Sequence, residues 1–224
     1  MSKLNPQQQE AIKNTDAPLL VLAGAGSGKT RVITQKIAHL INTGLYSAYH
    51  ITAVTFTNKA AREMKIRVTR LLRKEQTRGL RICTFHALGL DILRRECQHV
   101  GRKSNFSLFD ADDSAALLRE LNSTNKKDRT NKLFHEQIST WKNALLAPEQ
   151  IQVDDELAAQ ARTLYVEYQR SLQAYNAVDF DDLIVLPVQL FNKEPDILAH
   201  WRGRIRYLLV DEYQDTNLAQ YTLV

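Results

Sequence analysis

A glycine-rich loop followed by a lysine and a threonine carries the clearest chemistry in the sequence. Four apolar residues, 19–22, run into the loop, and Lys29 and Thr30 precede an apolar pattern at helical spacing. Glycines let successive backbone N–H groups converge on phosphate oxygens at a helix N-terminus, which favours negative charge. Lys29 would neutralise the β- and γ-phosphates, and the Thr30 hydroxyl would bind Mg²⁺. The pattern predicts a buried parallel strand, a nucleoside triphosphate loop and the first turn of a helix.

The loop differs from the usual phosphate-binding pattern at its first position, where Ala23 stands in place of glycine. An ordinary glycine-rich turn between a strand and a helix is the alternative interpretation. The placement of Lys29 and Thr30 directly after the glycines, with an apolar strand before them, favours the nucleotide loop. The residues of this segment that we predict to hold the nucleotide are Ala23, Gly24, Ala25, Gly26, Ser27, Gly28, Lys29 and Thr30.

A second acidic motif follows an apolar run near the end of the sequence. Residues 207–210 predict a strand, and Asp211 and Glu212 come directly after it. A carboxylate at this position can hold Mg²⁺ through its water shell, and the next one can polarise an attacking water. Two acids after apolar residues are a weak signal alone, because many strands end in acids. Together with the loop they predict nucleoside triphosphate hydrolysis, with Lys29, Asp211 and Glu212 as catalytic residues and Thr30 and Asp211 as metal ligands.

Strands and helices that would position these residues alternate at both ends of the sequence but not in its middle. The apolar strand patterns occur at 19–22, 51–57, 80–85 and 207–210. From about residue 101 to residue 177 helical signatures dominate, with Asp110 as a predicted N-cap and 122–131 as a polar loop. We therefore expect an α/β fold with an inserted helical segment, and no strand of its parallel sheet from residues 105–170.

The first predicted helix carries a residue with two candidate roles. Asn5 is a suitable N-cap, and Pro6 fits the first helical position, where a missing N–H costs nothing. Gln8 falls three residues after the cap, so its side chain can bond back to the cap in a capping box. The other role is recognition of an adenine edge through the amide. Local chemistry leaves both roles open.

Composition and charge indicate an ordinary globular chain with a polyanion partner. The 224 residues are 44% hydrophobic and 25% charged, without an apolar run of transmembrane length or the apolar core of a signal peptide. We therefore expect a cytoplasmic protein with no membrane contact and with both cysteines reduced. The net charge is +5, and basic residues concentrate between positions 59 and 81, where Glu63 and Glu75 are the acidic exceptions. A polyanion partner would explain this concentration, and a solvated helix face is the alternative.

Six motifs occur together in an order that resembles a known family. They lie at 4–8, 23–31, 55–61, 84–86, 179–183 and 211–215. In this order they are similar to the motifs of UvrD/Rep/PcrA-type superfamily 1 DNA helicases, and their detail is most similar to the Rep branch. The resemblance covers essentially the whole sequence and accounts for Ala23, because these helicases use alanine there. It implies ATP and Mg²⁺ as cofactors, and single-stranded DNA and its junctions with duplex DNA as partners.

The resemblance also implies roles for individual residues. Gln8 would hydrogen-bond adenine, which favours its functional role, and Arg31 would pack on the adenine face. Phe56 would stack on a base of single-stranded DNA, although the residues alone favour a core aromatic at a strand end. The further residues that the resemblance implies in DNA contact are Asn58, Lys59, Thr84, Phe85 and His86.

The domain layout implied by the resemblance is a P-loop NTPase with a RecA-like parallel sheet and an inserted all-helical subdomain. Residues 1–88 and 179–224 would form the sheet domain, and residues 89–178 would form the insertion, which contacts duplex DNA in this family. The family's second RecA-like domain, with its arginine fingers, would lie beyond Val224. We therefore expect a chain that binds Mg·ATP measurably but hydrolyses it negligibly.

The expected function is that of the N-terminal, ATP-binding part of a DNA helicase. The intact enzyme would couple ATP hydrolysis to 3′–5′ movement on single-stranded DNA and to duplex unwinding, in replication or repair. One alternative is the motor portion of a helicase–nuclease, which the sequence downstream of Val224 would reveal. The other is a nucleotide- or DNA-binding part without turnover, which an assay of ATP hydrolysis with and without single-stranded DNA would identify.

Overall fold

A computed structural model describes residues 4–24, 26–122 and 128–224, and these form two compact units. The first, here called the sheet unit, runs from the start of the described residues to Phe85 and resumes at Asp196–Gln214. The second, the helical unit, comprises His86–Pro195 and Asp215–Val224. The described helices are α1 Pro6–Lys13, α2 Lys29–Asn42, α3 Asn58–Thr69, α4 Phe85–Glu96, α5 Ala111–Leu121, α6 Asp128–Asn143, α7 Glu156–Ala174, α8 Asp182–Lys193, α9 Pro195–Arg204 and α10 Leu218–Leu223. The described strands are β1 Ile51–Thr55, β2 Arg81–Thr84, β3 Ser107–Leu108, β4 Ala177–Val178 and β5 Tyr207–Val210.

Three parallel strands organise the sheet unit, in the order β2-β1-β5. The central strand β1 is buried at every position, as expected for a parallel strand that is covered on both faces. Ile37 and Leu40 of α2 and Met64 and Val68 of α3 pack with β1 in one core cluster. Because the strands are parallel, their carboxyl ends share one edge of the sheet, and Asp211 N donates to Val54 O there at 3.0 Å.

The predicted strand at 19–22 is wrong. These residues are described without strand structure, and their exposed fractions are 41%, 63%, 39% and 86% for Leu19, Leu20, Val21 and Leu22. An apolar parallel strand needs a hydrogen-bonded neighbour and cover on both faces. Within the described ranges, β5 pairs with β1 alone and the segment 19–22 pairs with no strand. The apolar run therefore indicates a local preference for strand structure. The pairing with a neighbouring strand that would complete it is not formed among the described residues.

The helix starts in the sheet unit agree with the sequence in one case and differ in another. The capping box of α1 is confirmed, because Gln8 N donates to Asn5 Oδ1 at 2.7 Å and Asn5 N donates to Gln8 Oε1 at 3.0 Å. Asn58 follows the apolar run at 51–57 and has a side chain suited to an N-cap, but it does not cap α3. Thr57 takes that role, with its hydroxyl oxygen accepting from Ala60 N at 3.1 Å.

The helical unit packs α5, α6 and α7 around a core that includes Leu118, Ile138, Tyr168 and Leu172. Asp110 caps α5 as predicted, through a capping box with Asp113. In the predicted polar loop 122–131, residues 123–127 lie outside the described residues, and α6 already begins at Asp128.

The helical unit differs from the predicted insertion in two respects. It contains a parallel pair, β3 with β4, so it is not all-helical as expected, although among the described residues this pair is separate from the three-stranded sheet. It also includes residues 179–195 and 215–224, which the sequence assigned to the sheet domain. The reason is packing: α8 buries most of its apolar residues within the helical unit, and α10 contacts α8.

The described helices include none that is both long enough and apolar enough to cross a bilayer.

A pair of glycine substitutions tests the packing of the helical unit. A Cβ built at Gly89 in α4 would lie 1.7 Å from the Leu183 backbone oxygen, so Gly89→Ala forces two backbones apart. We expect a loss of about 1–3 kcal/mol or more in the free energy of unfolding, measured by urea denaturation. Gly203→Ala in α9 is the matched control, because nothing lies within 4 Å of its added Cβ. That variant should be neutral or more stable, and equal stability of the two variants would contradict the close approach.

Candidate nucleotide site and nucleic-acid contacts

The glycine loop enters α2 through backbone conformations that require glycine. Gly28 is the N-cap of α2 with φ of 91°, and Gly26 has φ of 74°, both in the left-handed region. Lys29 is the first residue of the helix, and its Nζ donates to Ala23 O at 3.0 Å across the loop. Ala25 lies outside the described residues. The loop thus closes on the Lys29 ammonium and leaves the backbone N–H groups of the first turn of α2 without helical partners, as anion binding requires.

The carboxyl end of β5 brings two carboxylates to the loop. Asp211 is buried and accepts a hydrogen bond from the Thr30 hydroxyl, whereas Glu212 is more exposed and its Oε2 lies 3.9 Å from Lys29 Nζ. Burial raises the pKa of Asp211 and the Glu212 carboxylate raises it further, against the opposing effects of Thr30 and Lys29. Glu212 has φ of 52°, a strained conformation for a non-glycine residue, and its carboxylate accepts from Gln214 Nε2 at 2.6 Å.

The side-chain oxygen atoms of Thr30 and Asp211 fit a divalent cation that binds together with a nucleotide. Asp211 Oδ1 is buried and has no hydrogen-bond partner among the described residues, although a buried carboxylate oxygen normally has one. The Thr30 hydroxyl adjoins the same carboxylate, so both candidate ligands are hard oxygen donors of the kind Mg²⁺ prefers. The described residues hold no group of three or more His, Cys, Asp or Glu side chains that would bind a metal ion by themselves. Mg²⁺ usually binds through one or two protein oxygens together with phosphates and water.

The two residues implied in adenine contact lie beside the loop. Gln8 Nε2 donates to Ser27 O at 2.9 Å while its Oε1 serves the capping box, so both ends of the amide are engaged. Gly28 also approaches this amide, because an added Cβ would lie 3.3 Å from Gln8 Nε2. Arg31 is half-buried in the first turn of α2. Gln8 therefore links the first helix to the nucleotide loop, and the adenine contacts of Gln8 and Arg31 stay predictions.

In the sheet unit, only some of the implied DNA-contacting residues present a side chain to solvent. Phe56 follows β1, is half-buried, and lies 5.3 Å from the Phe85 ring, centroid to centroid. Phe85 is 1% exposed and Thr84 is also buried. Neither side chain is therefore exposed where it could contact a strand of DNA. The buried Phe85 ring instead packs against Phe56 as a tilted ring pair. Asn58 and Lys59 are exposed in the first turn of α3.

In the helical unit, the structure adds an aromatic residue to the implied contacts. The Phe180 ring is 53% exposed and lies 4.6 Å from the His86 ring, centroid to centroid. Burial lowers the pKa of His86, and the nearby Asp181 carboxylate opposes that shift. Phe180 was not among the DNA contacts predicted from the sequence. The available signal was an apolar aromatic between acidic residues at 179, 181 and 182, a setting more typical of the surface than of the core.

Comparison with known proteins identifies the family. The model of the UvrD/REP helicase N-terminal domain matches residues 4–224. The chain belongs to this UvrD/REP helicase family.

Two relatives in the UvrD/REP helicase family illustrate how much of a whole protein the chain represents. The ATP-dependent DNA helicase Rep of Escherichia coli (strain K12) is 52% identical over 231 residues, which cover 99% of this chain and 34% of the relative. The ATP-dependent DNA helicase PcrA of Staphylococcus aureus (strain Mu50 / ATCC 700699) is 42% identical over 229 residues, which cover 100% of this chain and 31% of the relative. The chain thus spans about a third of the length of the curated relatives it matches.

The state of Asp211 predicts opposite effects of one substitution on two measurements. Because the folded-state pKa is raised, the ionised carboxylate costs stability at neutral pH, and that cost disappears only as the pH falls through the folded value. Asp211→Asn removes the charge and keeps an acceptor for Thr30. We therefore expect a higher melting temperature for the ligand-free variant, but a smaller further rise on addition of Mg²⁺ with ATP. A lower ligand-free melting temperature, or a full ligand-induced rise, would contradict the assignment.

Proposed function

We propose that this chain is the ATP-binding part of a cytoplasmic, ATP-dependent DNA helicase that moves 3′–5′ on single-stranded DNA in replication or repair. The observation that carries the proposal is the meeting of Lys29, Thr30 and Asp211 at the junction of the glycine loop with β5. The names of the Rep and PcrA relatives, both ATP-dependent DNA helicases, support the same activity for the intact protein.

The proposed nucleotide site gives one role to each group at the junction of the glycine loop with the end of β5. The backbone N–H groups from Gly26 to Thr30 bind the phosphates, and Lys29 neutralises their charge. Thr30 and Asp211 hold Mg²⁺, which would supply positive charge against the phosphates. Glu212 orients and polarises the attacking water as general base. The earlier part of the loop, from Ala23 to Ser27, shapes the cradle, while Gln8 and Arg31 contact the adenine.

The fold proposal is a RecA-like P-loop domain with an inserted subdomain. The parallel order β2-β1-β5, with the acidic motif at the end of β5, supports the RecA-like part. We assign the sheet unit to that domain and the helical unit to the insertion, with the small β3–β4 pair as part of the latter. A second RecA-like domain of the same polypeptide would complete the motor.

The nucleic-acid half of the proposal rests on one aromatic surface in each unit. In the sheet unit, Phe56 offers a half-exposed ring next to the exposed Asn58 and Lys59. In the helical unit, the rings of His86 and Phe180 form a tilted pair, and Phe180 is exposed. Aromatic rings stack on any base, so such surfaces bind single-stranded DNA without sequence preference, which suits movement along DNA. Junctions of single- and double-stranded DNA are the proposed substrates of the intact protein.

The phosphate cradle predicts that Lys29→Ala loses nucleotide affinity. Removal of a charged hydrogen-bond donor should weaken the binding of Mg·ATP by about 10- to 150-fold, measured by calorimetric titration. Lys13→Ala is the matched control, because Lys13 is exposed at the end of α1 and should bind ATP as the native chain does. Equal affinity of the Lys29→Ala variant and the native chain would contradict the nucleotide site. Phosphate release that depends on DNA and on Lys29 would distinguish an enzyme from a binding part without turnover.

The exposed part of the Phe56 ring predicts that Phe56→Ala weakens single-stranded DNA binding. Loss of one stacked base costs on the order of 1–3 kcal/mol, and the affinity of the native chain should also fall as salt concentration rises. Binding of a labelled oligo-dT is measured by fluorescence anisotropy at fixed salt. Tyr49→Ala is the control, because Tyr49 is an exposed aromatic that precedes β1 at the opposite edge of the sheet. A ring that belongs only to the core would leave DNA affinity unchanged when Phe56 is replaced.

A further inference from the structure

A buried lysine at the end of α6 lies between two carboxylates in the core of the helical unit. The Lys142 side chain is 0% exposed. Its Nζ lies 2.7 Å from both carboxylate oxygens of Asp179 and 2.5 Å from Asp182 Oδ1. The Tyr168 hydroxyl donates to Asp179 Oδ2 at 3.0 Å. One cation therefore binds both acids that flank the exposed Phe180.

The two acids also close a short loop on themselves. Asp182 N donates to Asp179 Oδ1 at 2.8 Å, and Asp179 N donates to Asp182 Oδ2 at 3.3 Å. These reciprocal bonds hold residues 179–182 at the start of α8, with both acids turned inward. The next residue of α6, Asn143, donates to Asp181 Oδ1 at 2.8 Å from the same side. The end of α6 thus binds three of the four residues in this loop.

The fourth residue is Phe180, whose ring is exposed beside His86. A buried ion cluster is weak evidence for stability, because desolvation of the charges offsets their attraction, and apolar residues of similar volume often stabilise a core as well. Burial of this cluster also leaves an excess of negative charge, since one ammonium faces two carboxylates. The direct consequence of the ion cluster is that it fixes the geometry of the loop at residues 179–182.

We propose that Lys142 is a positioning residue, which binds Asp179 and Asp182 so that Phe180 stands beside His86 as a stacking surface for nucleic-acid bases. This inference rests on the proposed function, because it assigns the loop's geometry to DNA binding. It adds that the affinity of the surface for DNA depends on a buried ion cluster that makes no contact with DNA.

The protonation state of the cluster should make DNA affinity depend on pH, which packing alone would not do. Burial alone would lower the pKa of Lys142, but the Asp182 and Asp179 carboxylates outweigh burial and raise it, so the ammonium stays charged. Burial and the Asp179 carboxylate raise the pKa of Asp182 to about 6, whereas Lys142 holds the pKa of Asp179 below its usual value. Among the described residues, Tyr168 and Tyr165 are the other titratable groups that face the cluster, and burial raises the pKa of both, so they stay neutral. The charge on Asp182 therefore changes near pH 6.

A double-mutant cycle tests the proposal, with a fluorescein-labelled oligo-dT as the probe and the full chain as the protein. Phe180→Ala should weaken binding roughly five- to 150-fold, the range for one stacked base. Lys142→Met, which keeps the stem and removes the charge, should produce a large part of that loss in the native background. It should produce no further loss in the Phe180→Ala background, because its effect passes through Phe180. Lys132→Met is the matched control on the same helix, since Lys132 is 79% exposed, and it should retain native affinity.

The outcomes separate this inference from the proposed function. An equal loss on Lys142→Met in both backgrounds would indicate general damage to the fold, and no loss in the native background would exclude a positioning role. Either result overturns the inference, as does native affinity in the Phe180→Ala variant. A native chain that binds no oligo-dT overturns the proposed DNA contacts and the inference together.

A second variant decides the matter if Lys142→Met does not fold. Asp182→Asn keeps the pair of Lys142 with Asp179 and removes the excess negative charge, so it should fold at neutral pH. Because protonation already removes the charge of Asp182 below about pH 6, the affinity ratio of native to variant should be largest at neutral pH. It should approach one as the pH falls below that value, and titration of His86 cancels in this ratio. An affinity ratio that stays constant with pH, or equals one throughout, overturns the proposal.

Discussion

Parallel alignment of three strands is the constraint on which the candidate chemistry depends. Because β1 pairs with β2 on one side and β5 on the other, residues that follow these strands share one edge of the sheet. That edge places Asp211 after β5 and Phe56 after β1. The glycine loop brings Lys29 and Thr30 to Asp211, so two motifs that are distant in the sequence meet at the proposed phosphate and metal site. In a parallel sheet, ligands bind at the carboxyl ends of the strands for this reason.

In the helical unit, buried charged groups rather than strand pairing hold the loop that carries the proposed DNA contact. The loop 179–182 has one exposed aromatic, and its acids are fixed by Lys142 and by their own backbone N–H groups. Its exposed ring meets His86, at the start of the chain segment that leaves the sheet unit. In both units the aromatic residues proposed to bind DNA adjoin buried groups: the Phe56 ring contacts the buried Phe85 ring, and Phe180 lies between Asp179 and Asp182, which Lys142 binds.

Local sequence signals predicted local structure well, and non-local contacts account for the errors. The capping box at Asn5, the N-cap at Asp110 and the strands within 51–57 and at 207–210 follow from side-chain chemistry and apolar runs. The strand at 19–22 was wrong, because a parallel strand depends on a neighbour that the run itself does not specify. Burial of Thr84 and Phe85 could not be read from motif order, since a motif states which residues recur and not which face solvent. The partners of Lys142 were likewise hidden, because they come from residues far along the chain.

The central claim is that the glycine loop and the end of β5 form one site for a nucleotide with Mg²⁺. A crystal structure of the chain grown with Mg²⁺ and a non-hydrolysable ATP analogue tests it most directly. The account predicts phosphates bound by the backbone N–H groups of the first turn of α2, with Lys29 Nζ turned from Ala23 O to the phosphates. It also predicts a metal ion held by Thr30 and Asp211. A nucleotide bound elsewhere, with Lys29 still on Ala23 and Asp211 without a metal, would contradict the claim.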